Sequence, residues 1–546
     1  MNRRTSSVSL ALAAALVLFA IQGNSQAKRQ GQSKTAQEIL AGLPKAMQSI
    51  TAVDLEAHAK TITADDYAGR LTATEGQLKA AKYFVEHFKK LGLEPLGDTA
   101  AGERTFYQHW PVVFEKLVAA DTGLFAPKGN KVHKSGAWFL PRKIKKKTVF
   151  RGKLLFAGSS GIEDLDLAGT IPVVHWAPIG ASGRRGVMGA ISSGMRLIGK
   201  VASYAKKAKR AGAKACVLVT KSMPVAFVSA TNMFTRYPGK PLLTRPGSGR
   251  NRMAGLVPRV PIPTLVLSGK DAAAVLGWIG LNEELAYTEE DDLAVGKRST
   301  RRFRLLVKPT TEKGQAVNVC AVLRGRDPDL RSQAVIYSCH MDHLGLAPDG
   351  GVFNGADDNG SGCSTVLEIA QAYAMLKGDD RPRRSIIFLA VAGEELGLWG
   401  SAYYAKHPTW PAQQIIADVN MDMLGRSTER VPPDTVALTP TYRHTNYSTL
   451  ARDAAFLGEG LGLKMGNGDR FYARSDHINF ARKGIPVVFF CDDEHADYHM
   501  PTDTADKLEF GKIERIARLA FAVGLRAANA ASRPKELGKR SGWFAR

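Results

Sequence analysis

The spacing of hydrophobic residues changes twice along the chain, and each change marks a different kind of structure. Between residues of about 34 and 115 the spacing is helical, because Leu55, Ala59 and Ile62 recur every three or four positions. Gln77–Leu91 is a second amphipathic stretch of the same kind. The pattern therefore predicts that helices precede the rest of the fold.

Short apolar runs separated by glycine dominate residues of about 130–300. Four of them are predicted as strands: Leu154–Ala157, Ile171–Trp176, Ala215–Thr220 and Ile262–Leu267. A helix is predicted at Val201–Arg210, and the Pro-, Gly- and Arg-rich stretch Met233–Arg259 is predicted as a long loop. Because this part holds no cluster of acidic and histidine residues, we expect it to form an inserted accessory domain.

From about Phe303 onward, strand-like and helical patterns alternate. The predicted strands are Val317–Leu323, Val335–Ser338, Ile386–Val391, Ile415–Met421 and Val487–Phe490. Helical stretches separate several of them, so the predicted class is α/β, with a mixed, largely parallel central sheet sandwiched by helices. A chain of 546 residues is too long for one ordinary core, which supports a second domain.

Side chains that bind metals follow four of these strands. His340 comes shortly after Val335–Ser338, and Glu394 and Glu395 follow Ile386–Val391. Asp422 follows Ile415–Met421, and His499 follows Val487–Phe490. A glycine-rich loop after His340 adds the adjacent residues Asp357 and Asp358. The carboxyl ends of parallel strands meet at one edge of a sheet, so these side chains are expected to meet there. Imidazole and carboxylate groups together indicate a metal site.

The amino-terminal residues resemble an export signal. Arg3 and Arg4 precede an apolar run from Val8 to Ile21, and Ser25-Gln26-Ala27 places small residues before a cleavage position near Ala27. The apolar run is too short for a comfortable transmembrane span. We therefore expect an exported protein, periplasmic or extracellular, without an integral membrane span after cleavage.

Charge and cysteine content narrow the classes of partner. The formal net charge is +24, with 44% hydrophobic and 23% charged residues, which are globular values apart from the basic excess. That excess suits either a solvated basic surface or attraction to anionic envelopes and acidic peptides. No motif that reads nucleic acid is present, so nucleic acid is not expected as a partner. The five cysteines are far apart and contain no CxxC pair, so no disulfide framework is expected.

Five sequence pieces resemble one family, the co-catalytic zinc aminopeptidases (zinc metallopeptidase family twenty-eight of clan MH). The pieces are His-x-Asp-His-Leu-Gly at 340–345, Gly-Ala-Asp-Asp-Asn-Gly-Ser-Gly at 355–362, Gly-Glu-Glu-Leu-Gly-Leu-x-Gly-Ser at 393–401, Asn-x-Asp-Met-Leu-Gly-Arg at 420–426 and Asp-Tyr-His-x-Pro-x-Asp-Thr at 497–504. The segment within 130–300 resembles a protease-associated domain through Gly169–Val174, Ala211–Ala213 and Pro261–Thr264. Together with the signal-like residues and the basic carboxyl terminus, the resemblance divides the chain into five expected parts: signal peptide 1–27, amino-terminal peptidase part 28–129, protease-associated insert 130–300, catalytic domain 301–530 and basic tail 531–546.

The resemblance also implies a role for each candidate residue. Asp357 is expected to bridge two zinc ions per chain. Glu395 and His499 would complete one site, and His340 and Asp422 the other. In the same way Glu394 is implied as the general base, which fits a carboxylate beside a metal-activated water.

Further residues are expected around these ligands. Asp342 is expected to accept the second ring N–H of His340. Tyr472 resembles the tyrosine that donates to the oxyanion, but Arg470 and Arg474 replace the cysteine pair that flanks it in leucyl aminopeptidases.

Four more polar residues near the motifs receive secondary roles. Asp476 and His477 are expected to be structural, with orientation of the site as the alternative. His343 and His495 have the right residue type for ligands, yet the ligand set is complete without them.

The function implied is that of an exported metallo-aminopeptidase acting on peptides. Three alternatives stay open: a carboxypeptidase or amidohydrolase on acidic peptides, a catalytically inactive receptor-like binding module, and glutaminyl cyclization. Activity on substrates with blocked amino termini would distinguish the first, and loss of metal ligands would mark the second.

Overall fold

The computed structural model describes residues 34–127, 136–141, 144–176, 187–224, 227–228, 240–246, 260–282, 294–347 and 350–539. The expected signal peptide lies outside these residues, as does most of the expected loop Met233–Arg259. Within the described ranges, none of the helices combines the length and the apolar character needed to cross a membrane.

The helices of the described part are numbered here along the chain: α1 (Ala36–Ala41), α2 (Ala52–Ile62), α3 (Glu75–Lys90), α4 (Val187–Arg210), α5 (Gly269–Gly277), α6 (Gly362–Met375), α7 (Trp399–Lys406), α8 (Thr449–Gly460), α9 (His477–Ala481) and α10 (Phe510–Asn529).

The strands of the described part are numbered likewise: β1 (Glu94–Pro95), β2 (Thr99–Ala100), β3 (Glu103–Arg104), β4 (Tyr107–Leu117), β5 (Gly123–Phe125), β6 (Ala137–Phe139), β7 (Thr148–Gly158), β8 (Thr170–His175), β9 (Cys216–Thr220), β10 (Leu242–Thr244), β11 (Thr264–Ser268), β12 (Arg298–Val307), β13 (Pro309–Leu323), β14 (Ala334–His340), β15 (Gly345–Leu346), β16 (Val352–Phe353), β17 (Ser385–Val391), β18 (Ile415–Met421), β19 (Thr435–Thr439), β20 (Lys464–Asn467) and β21 (Val487–Cys491).

The amino-terminal helices form where the helical spacing predicted them. Leu55, Ala59 and Ile62 are buried on one face of α2, and the Thr51 hydroxyl caps its first turn by accepting from the Asp54 N–H. The α2 helix packs against α6 and α10, which places it on one side of the larger sheet. The apolar stripe therefore decides both the helix and the face that it covers.

The larger sheet has ten strands in the described residues, in the order β10-β4-β13-β17-β14-β18-β21-β19-β20, with β1 beside β13. The four central strands β17, β14, β18 and β21 are parallel, whereas β13 and β4 on one side and β19 on the other pair antiparallel. This arrangement confirms the predicted mixed α/β class and confines the contiguous parallel part to the centre.

The central strands are buried on both faces, which explains their continuous apolar runs. In β14, Val335 and Tyr337 pack among the residues of α2, α6 and α10, whereas Ile336 packs on the opposite face with Tyr404 and Phe480. Full burial of a side chain such as Ile336 stabilises the fold by about 2 kcal/mol.

Helix α10 lies close against β14. The Tyr337 hydroxyl donates to the Ala520 carbonyl at 3.0 Å. A Cβ atom at Gly524 would lie 1.9 Å from that hydroxyl oxygen, so only glycine permits this approach.

A second sheet, with seven strands in the described residues between Gly123 and Val307, has the order β5-β12-β7-β8-β9-β11-β6. Its strand β5 lies before residue 130, and its strand β12 ends after residue 300. The sheet therefore extends beyond the expected bounds of the insert. The β10 strand, from within the same stretch, pairs antiparallel with β4 of the larger sheet. This stretch therefore contributes a strand to the sheet that carries the candidate site.

The expected basic tail contacts the rest of the fold as far as Gly538. Main-chain hydrogen bonds join Thr449 to Lys535 at 2.9 Å and Leu537 to Tyr447 at 2.7 Å. Arg533 also donates to the Gln413 carbonyl at 2.8 Å. These contacts hold the tail against the start of α8, against Tyr447 just before it, and against the residues that precede β18.

Candidate metal centre

The carboxyl ends of three neighbouring parallel strands bring the expected residues together. His340, the last residue of β14, pairs in register with Val391, the last residue of β17, and Glu394 and Glu395 follow shortly after. The β18 strand on the other side of β14 ends at Met421, so Asp422 begins the adjacent turn. The meeting of these side chains at one edge of the sheet agrees with the sequence prediction.

Asp358 lies at the centre of this group. Its Oδ1 atom is 3.3 Å from Nε2 of His340, and its Oδ2 atom is 3.1 Å from Nε2 of His499. The loop before it turns sharply at Gly355, where φ is +57° and an added Cβ would lie 2.2 Å from the Asp358 carbonyl oxygen. Glycine at position 355 therefore allows the loop to place Asp358 between the two imidazoles.

Two sets of donor atoms share the Asp358 carboxylate. In the first, His340, Asp358 and Asp422 offer atoms that lie within 4.8 Å of one another, and all three side chains are buried. Nε2 of His340 is 3.3 Å from Oδ1 of Asp422. The set joins nitrogen and carboxylate oxygen in the manner of a divalent-cation site.

The second set contains Glu395 and two histidines. Nε2 of His499 lies 3.1 Å from Oε2 of Glu395, and Nδ1 of His343 lies 2.6 Å from Oε1 of the same carboxylate. The His343 contact has hydrogen-bond geometry, whereas Nε2 of His499 has no hydrogen-bond partner although it is buried. Nε2 of His499 is thus not engaged by a hydrogen bond and can bind a cation in place of a proton, and His343 orients Glu395 from the side.

Asp357 is not the shared carboxylate, which corrects the expectation drawn from the resemblance. Its Oδ1 atom accepts from the Gly425 N–H at 2.7 Å, and its Oδ2 atom faces Nε2 of His495 at 3.2 Å. Consecutive residues of the loop point in different directions, and the side chain of Asp358 is the one that reaches both donor sets. The motif supplied two adjacent carboxylates and no means of choosing between them.

Asp503 fixes the main chain of the loop that carries Asp357 and Asp358. Its carboxylate accepts main-chain N–H groups of both Asp357 and Asp358, each at 3.1 Å. Burial, followed by the nearby charge of Asp357, raises the pKa of Asp503 to about 6. Sequence reasoning gave Asp503 no role, although it lies in the same motif as His499.

Opposite charges balance across the centre. Burial opposes charge on His340 and His499, but the surrounding carboxylates outweigh it, raising the pKa of His340 well above its ordinary value and that of His499 to about 10. Burial disfavours the Asp358 carboxylate, yet His343, His340 and His499 hold its pKa well below the ordinary value. Cations bound here would take the place of these protons.

Glu394 faces a narrow cavity beside Asp358 and Asp422. The cavity has a volume of about 30 Å³, and its apolar wall consists of Met423, Phe471, Phe489, Cys491 and Tyr498. Burial raises the pKa of Glu394 well above its ordinary value, and the neighbouring carboxylates Glu395 and Asp422 add to the rise. A raised pKa makes the Glu394 carboxylate a stronger proton acceptor than a solvent-exposed glutamate.

Asp342 contacts His340 differently from the expectation. Nδ1 of His340 lies 3.1 Å from the main-chain oxygen of Asp342, whereas the carboxylate oxygen is 3.8 Å away. The carboxylate instead accepts from the Thr72 hydroxyl at 2.7 Å and from the Glu394 N–H at 3.3 Å. Asp342 thus orients the ring through its carbonyl and holds Glu394 through its side chain.

Tyr472 is not among the residues that line this cavity, and its expected role as the oxyanion donor stays a prediction. Its ring packs against His444 with centroids 3.9 Å apart, and its hydroxyl is buried without a hydrogen-bond partner. Tyr498 lines the cavity instead and stacks on His499 with centroids 3.8 Å apart. Burial, and then the charges of Asp358 and Glu395, raise the pKa of Tyr498 well above its ordinary value, so the hydroxyl keeps its proton.

His477 and Asp476 lie behind this wall. Nε2 of His477 donates to the Tyr472 carbonyl at 2.8 Å, and burial lowers the pKa of His477 to about 3, so the ring is neutral. Burial raises the pKa of Asp476 to about 7. These contacts give His477 the structural role that was expected.

The carboxyl-terminal part of the chain is similar to a family of peptidases. Residues 318–524 match the model described as Peptidase family M28. Aminopeptidase YwaD of Bacillus subtilis (strain 168) is 25% identical over 300 residues, which are 53% of this chain and 58% of that protein. A probable leucine aminopeptidase of Arthroderma otae is 28% identical over 218 residues, which are 38% of this chain and 58% of that protein. Each match thus spans less than two thirds of the relative.

A solved structure shares the fold over nearly the whole length. BSAP, a zinc aminopeptidase from Bacillus subtilis, is 18% identical, has a TM-score of 0.50 and covers 90% of this chain and 98% of its own. At this identity the likeness concerns the fold alone.

Proposed function

Because the chain belongs to peptidase family M28, we propose that it is an exported di-zinc aminopeptidase that removes residues from the amino termini of peptides. One observation carries the proposal: a single buried carboxylate, Asp358, faces two separate sets of donor atoms. A carboxylate shared in this way suits two adjacent cations. The names of the relatives, an aminopeptidase and a probable leucine aminopeptidase, support the reaction.

The donor atoms suit zinc. His340 and Asp422 would hold one ion and Glu395 and His499 the other, with Asp358 between them. Nitrogen and carboxylate oxygen are the ligands that catalytic zinc takes, and three protein ligands for each ion leave room for water and substrate. Bound zinc polarises a peptide carbonyl and lowers the pKa of a water to about 7.

Glu394 is proposed to accept the proton of the attacking water and return it to the leaving amine. Its side chain lines the cavity next to Asp358 and Asp422, and its N–H is fixed by the Asp342 carboxylate. The raised pKa of Glu394 makes it ready to receive a proton, and a positioned carboxylate of this kind contributes about 10²- to 10⁴-fold to the rate.

Tyr498 is proposed to donate its hydroxyl hydrogen to the oxygen that becomes negative in the transition state. It lines the cavity and rests on the ring of His499, which fixes its position. A donor of this kind is worth about 3 kcal/mol in the transition state. This role was expected for Tyr472, which is not among the residues that line the cavity and whose hydroxyl is buried without a hydrogen-bond partner.

The cavity also supports aminopeptidase action over hydrolysis of acidic peptides. Among the described residues that line the cavity, Arg474 is the single cation, and Glu494 neutralises it at 2.5 Å. A free substrate carboxylate would have to displace Glu494, whereas the carboxylates of Glu394 and Asp422 suit a substrate ammonium group. Export rests on the signal-like residues 1–27, and the resemblance of the 130–300 segment to a protease-associated domain suggests a substrate-binding or gating role.

Paired substrates test the proposal. Leucyl p-nitroanilide should be hydrolysed and lose its hydrolysis with 1,10-phenanthroline, whereas acetyl-leucyl p-nitroanilide and N-acyl-glutamyl substrates should resist. Hydrolysis of the blocked substrates at an equal rate would contradict an aminopeptidase, and insensitivity to the chelator would contradict zinc.

A further inference from the structure

Three consecutive acidic residues after β21 each contact a cation from another part of the chain. Asp492 meets the ammonium group of Lys512 in α10 at 2.8 Å, and both side chains are buried. Asp493 meets Arg470, and Glu494 meets Arg474 at 2.5 Å. Both arginines belong to the loop that precedes α9, so the acidic residues fasten that loop to the end of β21.

Phe471 lies between the two arginines. The guanidinium of Arg470 is 4.4 Å from the centroid of the Phe471 ring, and that of Arg474 is 5.4 Å away. The ring is buried in one apolar cluster with Met423, Phe489 and Cys491, which are the residues of the cavity wall. The two charge pairs therefore hold an aromatic wall of the cavity from both sides.

No covalent bond fastens this wall. All five cysteines fall within the described residues and are free, and Cys491 donates through Sγ to the Asp492 carbonyl at 2.7 Å. Arg430 adds a weaker contact at 4.0 Å from Asp493. Charge pairs, together with the apolar packing of Phe471, therefore hold the wall in place.

We propose that Asp493 and Glu494, through Arg470 and Arg474, are positioning residues that set the size of the substrate side chain which the cavity accepts. The proposal rests on the proposed function, since it concerns the same cavity. With both pairs closed the cavity has a volume of only about 30 Å³, which favours small apolar side chains. Loosening Phe471 opens the wall and admits larger ones.

The arginine side chains are partly exposed, 41% for Arg470 and 37% for Arg474, so dissolved salt reaches the pairs. Screening shortens the range of such contacts to about 3 Å at 1 M ionic strength. The preference for small over large side chains is therefore expected to fall as salt rises.

The test compares kcat/KM for alanyl and phenylalanyl p-nitroanilide. Glu494→Gln and Asp493→Asn should each lower the alanyl-to-phenylalanyl ratio about three- to tenfold, mainly through a lower KM for the phenylalanyl substrate. The exchanged pair Arg474→Glu with Glu494→Arg should restore the ratio to within about twofold. Lys116→Ala is the matched control: it removes a comparable exposed pair with Glu312 on strands β4 and β13, and it should leave the ratio unchanged.

Amide hydrogen exchange of residues 468–476 gives a readout that needs no turnover. Faster exchange in Glu494→Gln, with the control unchanged, supports the proposal. An unchanged ratio together with unchanged exchange in both single variants overturns it and leaves aminopeptidase activity intact. If the wild-type protein lacks aminopeptidase activity, the proposed function is refuted. Faster exchange in the variants would then still show that the charge pairs hold the cavity wall.

Discussion

Nε2 of His499 lies 3.1 Å from Oδ2 of Asp358, on the opposite side of that carboxylate from His340. The two oxygens of one side chain are thus directed to two imidazoles that come from distant parts of the chain. This geometry makes Asp358 the residue on which both proposed zinc sites depend.

Replacing Asp358 should therefore remove more metal than replacing its neighbour. Asp358→Asn takes a charged ligand from both sites, so the zinc content should fall from about two ions per chain to one or fewer. Asp357→Asn removes the negative charge that faces His495 and keeps an oxygen that can accept from the Gly425 N–H, so two ions should remain, with about 10- to 100-fold lower affinity. Elemental analysis after dialysis measures both, and equal zinc loss in the two variants would contradict the assignment.

Changing Glu394 to Gln should separate chemistry from metal binding. The variant keeps the size of the side chain but cannot take up a proton, so kcat should fall by about 10² to 10⁴. Zinc content should not change, because Glu394 belongs to neither donor set. Glu395→Gln is the control and should lose zinc. A Glu394→Gln enzyme with wild-type kcat would remove the proposed base.

The two tyrosines should respond differently to loss of their hydroxyl groups. Tyr498→Phe removes the proposed donor at the cavity wall, and kcat should fall about 10²-fold. Tyr472→Phe removes a hydroxyl that has no hydrogen-bond partner, so kcat should change by less than about twofold. Steady-state kinetics with leucyl p-nitroanilide measure both effects. A larger loss of kcat in Tyr472→Phe than in Tyr498→Phe would assign the oxyanion donor to Tyr472.

His343 should affect one metal ion more than the other. It donates to Glu395 at 2.6 Å, so His343→Ala frees that carboxylate to rotate and should weaken the ion held by Glu395 and His499 about 10- to 100-fold. The ion held by His340 and Asp422 should keep its affinity. Titration with a zinc-competing chelator would show one weakened step, and two equally weakened steps would argue against the separate roles.

The stability of the fold should depend on pH through Asp418, which lies on β18 outside both donor sets. Burial raises the pKa of Asp418 to about 8 from an ordinary value of 3.8, so the folded chain binds the proton more tightly than the unfolded chain. Between those two values stability falls as pH rises, by at most about 1.4 kcal/mol per pH unit. Asp418→Asn has no such proton, so its Tm advantage over the wild type should grow from pH 5 to pH 8. Parallel Tm curves would contradict the raised pKa.

The central strands could be predicted from the sequence because burial on both faces leaves continuous apolar runs. Ile415–Met421 matches the predicted strand at both ends, and Val487–Cys491 differs from its prediction by one residue. The strand Leu242–Thr244 could not be predicted, because its partner β4 lies more than a hundred residues away and its three residues carry no periodicity.

In the candidate site, too, residues near strand ends could be predicted from the sequence, whereas side-chain directions in loops could not. Ligands that end strands, such as His340 and Asp422, were placed correctly at one edge of the sheet because strand direction fixes where they lie. The direction of side chains within loops could not be predicted from the sequence, which is why Asp357 was expected to be the shared carboxylate although Asp358 is the one that faces both donor sets. Tyr498 could have been considered from the sequence as a residue of the site, because it directly precedes the expected ligand His499.

Anomalous diffraction from crystals of the zinc-loaded protein, measured on both sides of the zinc absorption edge, tests the central claim most directly. The account predicts two zinc peaks on opposite sides of the Asp358 carboxylate, one beside His340 and Asp422 and the other beside Glu395 and His499. A single peak, or a pair that shares the carboxylate of Asp357, would contradict it.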